Sequence, residues 1–182
     1  MKTTELAKGF SIEKYQKLKA DENKEEIANL IYYRFSERYI EPFQDNVKRH
    51  GFSIMAVSCL MIEAFQSFKE GLPHTKGKSE QIFKRFFASS IHLSEFKKIN
   101  YFKDIRCGIL HQAETYSGWR IWRAGKLLDI GQKTINADLF LDKLKHELKD
   151  YKNKLNLESF ESDAWKKAID KLDYICENSC YE

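Results

Sequence analysis

A strongly apolar stretch near the middle of the chain constrains the fold more than any other part of the sequence. Between positions 54 and 70 the apolar residues fall on nearly every side of a helix: Ile54, Met55, Val57, Cys59, Leu60, Met61, Ile62, Phe65 and Phe68. A helix that is apolar all round needs other elements to cover it. Ser53 is the predicted N-cap after a break at Gly51. Gly71 and Pro73 end the helix, so the sequence predicts a bundle built around residues 54–70.

Helical periodicity extends over most of the remaining chain. Apolar residues recur at three- and four-residue steps in four further segments, residues 23–41, 79–88, 136–155 and 160–177. Pro42 disfavours helical geometry at the residue before it, so the first segment is predicted to end there, with a resumption toward His50 as an alternative. Another helix should run from Ser94, or from Asn100 if it breaks there, to about Ala113.

These segments predict an all-α fold class, a helical bundle. A length of 182 residues is enough to bury a sizeable core and corresponds to one domain. We therefore expect a single helical domain over residues 1–182, with a core of about residues 20–155 and a C-terminal helix at 160–177. The opening twenty residues are predicted to form a short helix or an arm.

After Gly118 the pattern changes from helix to strand. Residues 119–123 and 126–130 flank Ala124 and Gly125, which predicts one short β-hairpin inserted into the bundle. The first of these strands interleaves aromatic and basic side chains, Trp119, Arg120, Trp122 and Arg123. Surfaces that bind single-stranded nucleic acid have this composition. Packing of the hairpin explains the tryptophans equally well.

The chemistry of the sequence is concentrated in residues 104–112, a helical run that contains an arginine and a histidine. At about 100° per residue, Asp104 and His111 fall on one side of an α-helix and Arg106 falls among the apolar residues of the other. A guanidinium stays charged, so an arginine that faces packed surface needs a carboxylate, a phosphate or a cleft. Glu63, in the middle of the apolar helix, is one such carboxylate, although it can also lie at a solvent-facing edge.

The spacing of Arg106, four residues and His111, on a late helix of a small helical chain, resembles the signature of the HEPN domains (higher eukaryotes and prokaryotes nucleotide-binding). The resemblance implies an all-helical fold and, for many members, metal-independent endoribonuclease activity in toxin or abortive-infection systems. It also implies that Arg106 and His111 are catalytic and that two copies form one composite cleft across a homodimer. An antitoxin protein is a further implied partner. The sequence departs from the family pattern at Cys107, where a polar residue is common, and at Ala113, where some members have tyrosine.

Basic residues are concentrated around this motif. Residues 76–126 contain eleven Lys or Arg and four acidic residues, whereas the remainder contains 20 basic and 23 acidic residues. We expect Lys103, Arg120 and Arg123 to contact RNA or a nucleotide through its phosphates. Ordinary solvated faces are the alternative explanation.

No other motif points to a cofactor or to another reaction. The sequence contains no glycine-rich phosphate loop, serine elbow or His-Glu-x-x-His, so no cofactor is expected. Zinc is a minor alternative, because two pairs have four-residue spacing, Cys107 with His111 and Cys176 with Cys180. Helical cysteines usually pack in the core, however, so we expect no metal. The start lacks a signal peptide and no uninterrupted apolar run reaches membrane-spanning length, so a cytoplasmic protein without a membrane partner is expected.

RNA cleavage without metal needs a base for the 2′-hydroxyl, an acid for the leaving 5′-oxygen and a cation for the phosphate. His111 suits proton transfer and Arg106 suits the phosphate oxygens. Each chain contributes one motif histidine, His111, which supplies only one of the two proton-transfer groups. A symmetric dimer, water or another residue would supply the other.

Three functions stay open from the sequence. The first is a HEPN-type endoribonuclease. The second is a catalytically inactive HEPN-like module that binds nucleotide, RNA or protein, with Arg106 locked to Glu63 or Asp104 and no open cleft. The third is an unrelated helical interaction protein in which His111 is structural.

Overall fold

The computed structural model of the protein describes residues 4–44 and 50–179, most of which are helical. The α-helices are α1 (Ile12–Ala20), α2 (Lys24–Phe35), α3 (Glu41–Gln44), α4 (Gly51–Glu70), α5 (Ser79–Ser89), α6 (Gly108–Gln112), α7 (Ala137–Leu157) and α8 (Asp163–Ser179). The strands are β1 (Glu5–Ala7), β2 (Phe10–Ser11), β3 (Arg120–Trp122), β4 (Leu128–Asp129) and β5 (Thr134–Asn136). The mainly helical class predicted from the sequence is confirmed.

Helix α4 is the centre of the bundle and packs against α5, α6, α7 and α8. Half of its 20 residues are buried, including Ile54, Cys59 and Phe65. It begins at Gly51, earlier than predicted, and β3 lies so close to this start that a Cβ on Gly51 would be 3.2 Å from Cγ2 of Ile121. It ends at Gly71, whose φ of 65° is the left-handed conformation expected of a helix C-cap.

By length and composition alone, α4 also qualifies as a candidate membrane-spanning helix. Of the 18-residue stretch of α4 that is apolar enough to cross a membrane, 56% is buried inside the protein. Core helices of soluble proteins pass the same test.

The predicted helix end before Pro42 is wrong. Helix α2 continues through a π-helical turn, Ser36–Ile40, into α3, and Glu41 has helical angles of φ −54° and ψ −40°. The N–H of Glu41 bonds to the carbonyl of Ser36, so the wide turn ends just before the proline. Pro42 follows as the second residue of α3. The alternative of a resumption toward His50 falls largely on residues 45–49, outside the described residues.

The predicted hairpin at residues 119–130 is also wrong in its pairing. Strands β3 and β4 do not pair with each other, because β5 lies between them, parallel to β3 and antiparallel to β4. Strand β5 contains Ile135, which is fully buried, and this apolar residue fills the middle of the small sheet. The sequence assigned Asn136 to the start of a helix. Its backbone instead ends β5, and its side chain caps α7 by accepting from Asp138 and Leu139. An antiparallel pair that was not predicted, β1 with β2, precedes α1.

An aromatic cluster anchors the segment that carries the motif. Tyr101 lies in the core with its ring 5.6 Å from Phe140 and 4.8 Å from Phe87. Phe96, in a 3₁₀ turn at Ser94–Lys98, packs edge-on against Phe140. The chain is therefore held on both sides of a break at residues 99–100, and the motif segment starts from this fixed point.

Candidate functional site

The motif segment is a π-helical turn, Phe102–Cys107, followed by the short helix α6. In a regular α-helix, residues five positions apart point about 140° away from each other. The π turn is wider, with hydrogen bonds that span five residues. In the structure Nη1 of Arg106 lies 3.2 Å from Nε2 of His111, so the predicted separation of these two side chains on opposite helix faces is wrong.

Arg106 is held by the carboxylate of Glu63, as the sequence suggested. Oε1 of Glu63 accepts a hydrogen bond from Nε at 3.0 Å and lies 2.9 Å from Nη2 in the same ion pair. The other oxygen, Oε2, accepts from the hydroxyl of Ser79 at 2.8 Å, and the guanidinium carbon lies 5.4 Å from the ring of Phe102. The Arg106 side chain is 17% exposed and that of Glu63 is 13% exposed, so the pair lies at the edge of the core.

The ring of His111 is exposed and its protonation state in this arrangement can be read from its partner. A guanidinium has only donors, so Nε2 of His111 accepts from Arg106 and the ring proton is on Nδ1. A neutral imidazole thus presents a basic nitrogen beside a fixed cation. This pairing brings a group that accepts a proton next to a group that binds phosphate oxygens.

Asp104 has a different role from the one considered for it, because it does not hold Arg106. Its Oδ1 accepts from the hydroxyl of Ser117 at 2.9 Å, and its backbone carbonyl accepts from the N–H of Tyr116 at 2.8 Å. Asp104 therefore fastens the segment that returns after α6 along the side of the motif.

Gly108 is a site residue that sequence reasoning missed. A Cβ on Gly108 would lie 2.4 Å from the carbonyl oxygen of Glu114 and 2.9 Å from Cα of Thr115. The returning segment thus crosses α6 at the one position that has no side chain. A glycine inside a helical run signals such a close approach. No sequence signal pointed to the contacts of Ser79 or Phe102.

The three predicted RNA-binding residues lie on two elements. Lys103 is exposed on the motif segment. Arg120, on β3, is exposed, with its guanidinium 5.2 Å from the ring of Trp122. Arg123 follows β3, and its Nε bonds to the Asp138 carboxylate at 2.8 and 2.9 Å.

Of the two tryptophans of this segment, the packing explanation holds for one. Trp119 is buried and packs in the core, whereas Trp122 is 48% exposed. Packing therefore explains only Trp119.

The minor zinc alternative finds no support in the described part of the chain. Over residues 4–44 and 50–179, no group of three or more His, Cys, Asp or Glu is arranged to hold a metal ion. Cys107 is a free, half-buried thiol and Cys176 is buried. Cys180 lies outside the described residues.

No family model matches this sequence, and no significant similarity to a curated protein or a solved structure is found. The resemblance to the HEPN domains rests on the spacing of Arg106 and His111. Function is therefore argued from the geometry of these residues.

Proposed function

We propose that this protein is a metal-independent endoribonuclease of HEPN type. The observation that carries the proposal is the 3.2 Å contact between Nη1 of Arg106 and Nε2 of an exposed His111. A structural histidine has no need of an exposed ring beside a fixed cation. A phosphodiester cleavage site needs both groups within reach of one phosphate.

The reaction starts when the scissile phosphate binds Arg106. Its oxygens accept from Nη1 in place of the imidazole, which frees Nε2 of His111 to take the proton of the ribose 2′-hydroxyl. The 2′-oxygen attacks phosphorus, the bond to the 5′-oxygen breaks, and that oxygen leaves with a proton from an acid. The products are a 2′,3′-cyclic phosphate and a 5′-hydroxyl.

Glu63 positions Arg106 for this step. The carboxylate lies against Nε and Nη2, so the two N–H groups of Nη1 are left for other acceptors, and His111 takes one of them. Ser79 fixes the carboxylate in turn. A guanidinium oriented before substrate arrives loses little freedom on binding.

The acid is supplied by His111 of a second copy in the proposed homodimer, with Lys103 and Arg120 contacting the RNA backbone. A cytoplasmic location and control by an antitoxin protein belong to the same proposal.

A second candidate is a catalytically inactive module that binds RNA, nucleotide or protein. The observation in its favour is the ion pair with Glu63, which already neutralises Arg106 and leaves only 17% of its side chain exposed. A neutralised cation attracts phosphate less strongly.

Product analysis separates the two. Purified protein is incubated with a labelled single-stranded RNA in EDTA, and the fragment ends are identified. Fragments ending in a 2′,3′-cyclic phosphate, absent with His111→Ala, support the ribonuclease. Intact RNA under all buffer conditions, with binding retained, supports the inactive module.

A further inference from the structure

An open groove lies between the start of α4 and the end of β3, away from the Arg106 site. It has a volume of about 570 Å³, within the range of pockets that hold small molecules. Its lining comes from two segments, His50, Gly51, Phe52 and Ser53 on one side and Ile121, Trp122, Arg123 and Ala124 on the other. The close approach at Gly51 brings the two segments together.

Two aromatic side chains in this groove are unusually exposed. Trp122 is 48% exposed and Phe52 is 36% exposed, although both line the same cavity. The other two tryptophans, Trp119 and Trp165, are buried at 6% and 0%. Exposed aromatic rings beside arginine are the usual platform for bases of single-stranded nucleic acid.

The charge around the groove suits a phosphodiester. None of the described residues that line it is acidic, and the exposed guanidinium of Arg120 lies 5.2 Å from the ring of Trp122. Arg123 also lines the groove, paired with the carboxylate of Asp138. Arg120 forms a cation–π contact with one side of the Trp122 ring. This contact restrains the ring and leaves its remaining surface for a base.

The groove and the Arg106 site lie along one side of α4. Phe52 and Glu63 are eleven residues apart on α4, which corresponds to three full helical turns plus about 20°. Their side chains therefore point in nearly the same direction, separated by about 17 Å along the helix axis. Leu60, 49% exposed, lies between them on the helix. A single-stranded RNA whose phosphate contacts Arg106 reaches the groove a few nucleotides further along.

We propose that this groove is a base-binding subsite for single-stranded RNA, in which a nucleobase stacks on Trp122 beside Phe52. The inference rests on the proposed function, because it assigns the same RNA strand to both sites. The subsite supplies affinity for long substrates and takes no part in the chemistry.

Fluorescence tests the subsite without requiring cleavage. Because only Trp122 is exposed among the three tryptophans, quenching by a ten-residue oligouridylate reports on this groove. The assay uses His111→Ala so that the RNA stays intact. We expect saturable quenching that is lost with Trp122→Phe. Trp122→Ala and Phe52→Ala should raise the Kd at least about fivefold by a separate anisotropy measurement, as loss of one stacked base predicts. Tyr33→Ala, which removes a ring that is 42% exposed on α2, should leave the Kd unchanged.

Substrate length separates this inference from the proposed function. With active protein, Trp122→Ala should raise KM for the decanucleotide and leave cleavage of uridylyl-uridine unchanged. Cleavage by wild type without quenching, or equal decanucleotide kinetics for Trp122→Ala, overturns the subsite and leaves the ribonuclease standing. Quenching and Trp122-dependent affinity without any cleavage support the subsite and refute the ribonuclease.

Discussion

Glu63 and Arg106 are 43 positions apart in the chain, and one carboxylate oxygen of Glu63 accepts a hydrogen bond from Nε of Arg106 and forms an ion pair with Nη2. The pair joins the central helix α4 to the motif segment. It fixes the direction in which Arg106 presents its remaining donors, and it stabilises the fold at the same point.

Glu63→Gln should destabilise the protein by about 2 kcal/mol, because it leaves a mostly buried guanidinium without an anionic partner. The substitution keeps the shape of the side chain, so packing is not the cause. Urea unfolding at pH 7 measures the loss. Glu80→Gln is the matched control, since it breaks an exposed pair with Lys84 and should cost less than about 0.5 kcal/mol. Equal unfolding of both variants would contradict the positioning role of Glu63.

Gly108→Ala should destabilise the protein by about 1–3 kcal/mol, because the new Cβ overlaps the carbonyl of Glu114 and displaces the returning segment. Gly131→Ala is the control, since its Cβ would meet only a side-chain oxygen of Asp129 at an ordinary 3.6 Å. Thermal unfolding of the two variants checks the difference. A melting temperature for Gly108→Ala that equals that of Gly131→Ala would show that the segment does not cross α6 there.

Acid stability should depend on Glu70. Burial acts to raise the pKa of this carboxyl, but hydrogen bonds from Arg85 and Gln66 outweigh it, and the pKa in the folded protein is lowered. A carboxyl with a lowered pKa adds stability above its unfolded pKa, near 4.3, and that stability is lost as pH falls through the folded value. The Glu70→Gln variant should therefore be less stable than wild type at pH 6, by at most about 1 kcal/mol because the pair with Arg85 is partly exposed. At pH 2 the two proteins should have equal free energies of unfolding.

Unfolding free energies from pH 6 down to pH 2 provide that comparison. Glu80→Gln serves again as the control, since its exposed partner Lys84 adds little. A constant difference between Glu70→Gln and wild type across the whole pH range would refute the assignment.

Periodicity predicted the helices well where one buried face decides the structure. Residues 79–88 were predicted from the spacing of Ile82, Phe83, Phe86 and Phe87, and all four are buried in α5. Glu63 was one of the partners considered for Arg106, because a cation on an apolar face needs a carboxylate, a phosphate or a cleft, but the sequence did not decide between this pairing and a solvent-facing Glu63. These predictions depend only on local pattern and elementary energetics.

Long-range contacts explain what the sequence did not reveal. Strand β5 is three residues long and forms because β3 and β4 lie on either side of it, a pairing that no local pattern encodes. The π turn at Phe102–Cys107 likewise has no periodicity of its own. Because the helical wheel assumed a regular α-helix, it separated Arg106 from His111, whereas the structure has a π turn before His111 and a contact between the two side chains.

Substitution of Arg106 should affect both binding and cleavage. Arg106→Ala removes a phosphate contact from the ground state and a stronger one from the transition state, so it should raise the Kd for RNA and lower kcat. Arg106→Lys restores the charge without the two-pronged geometry, so it should recover affinity more than rate. Equal recovery of both would argue against a guanidinium contact in the transition state.

The central claim is that His111 moves a proton and contributes little to RNA affinity. The most direct measurement is the cleavage rate and the Kd of one single-stranded RNA, both determined in EDTA, for wild type and His111→Ala. We predict that the variant loses cleavage, while its Kd stays within about twofold because Arg106, Lys103 and Arg120 supply most of the electrostatic part of binding. Cleavage by His111→Ala at the wild-type rate, or uncut RNA with the wild-type protein, would contradict the claim.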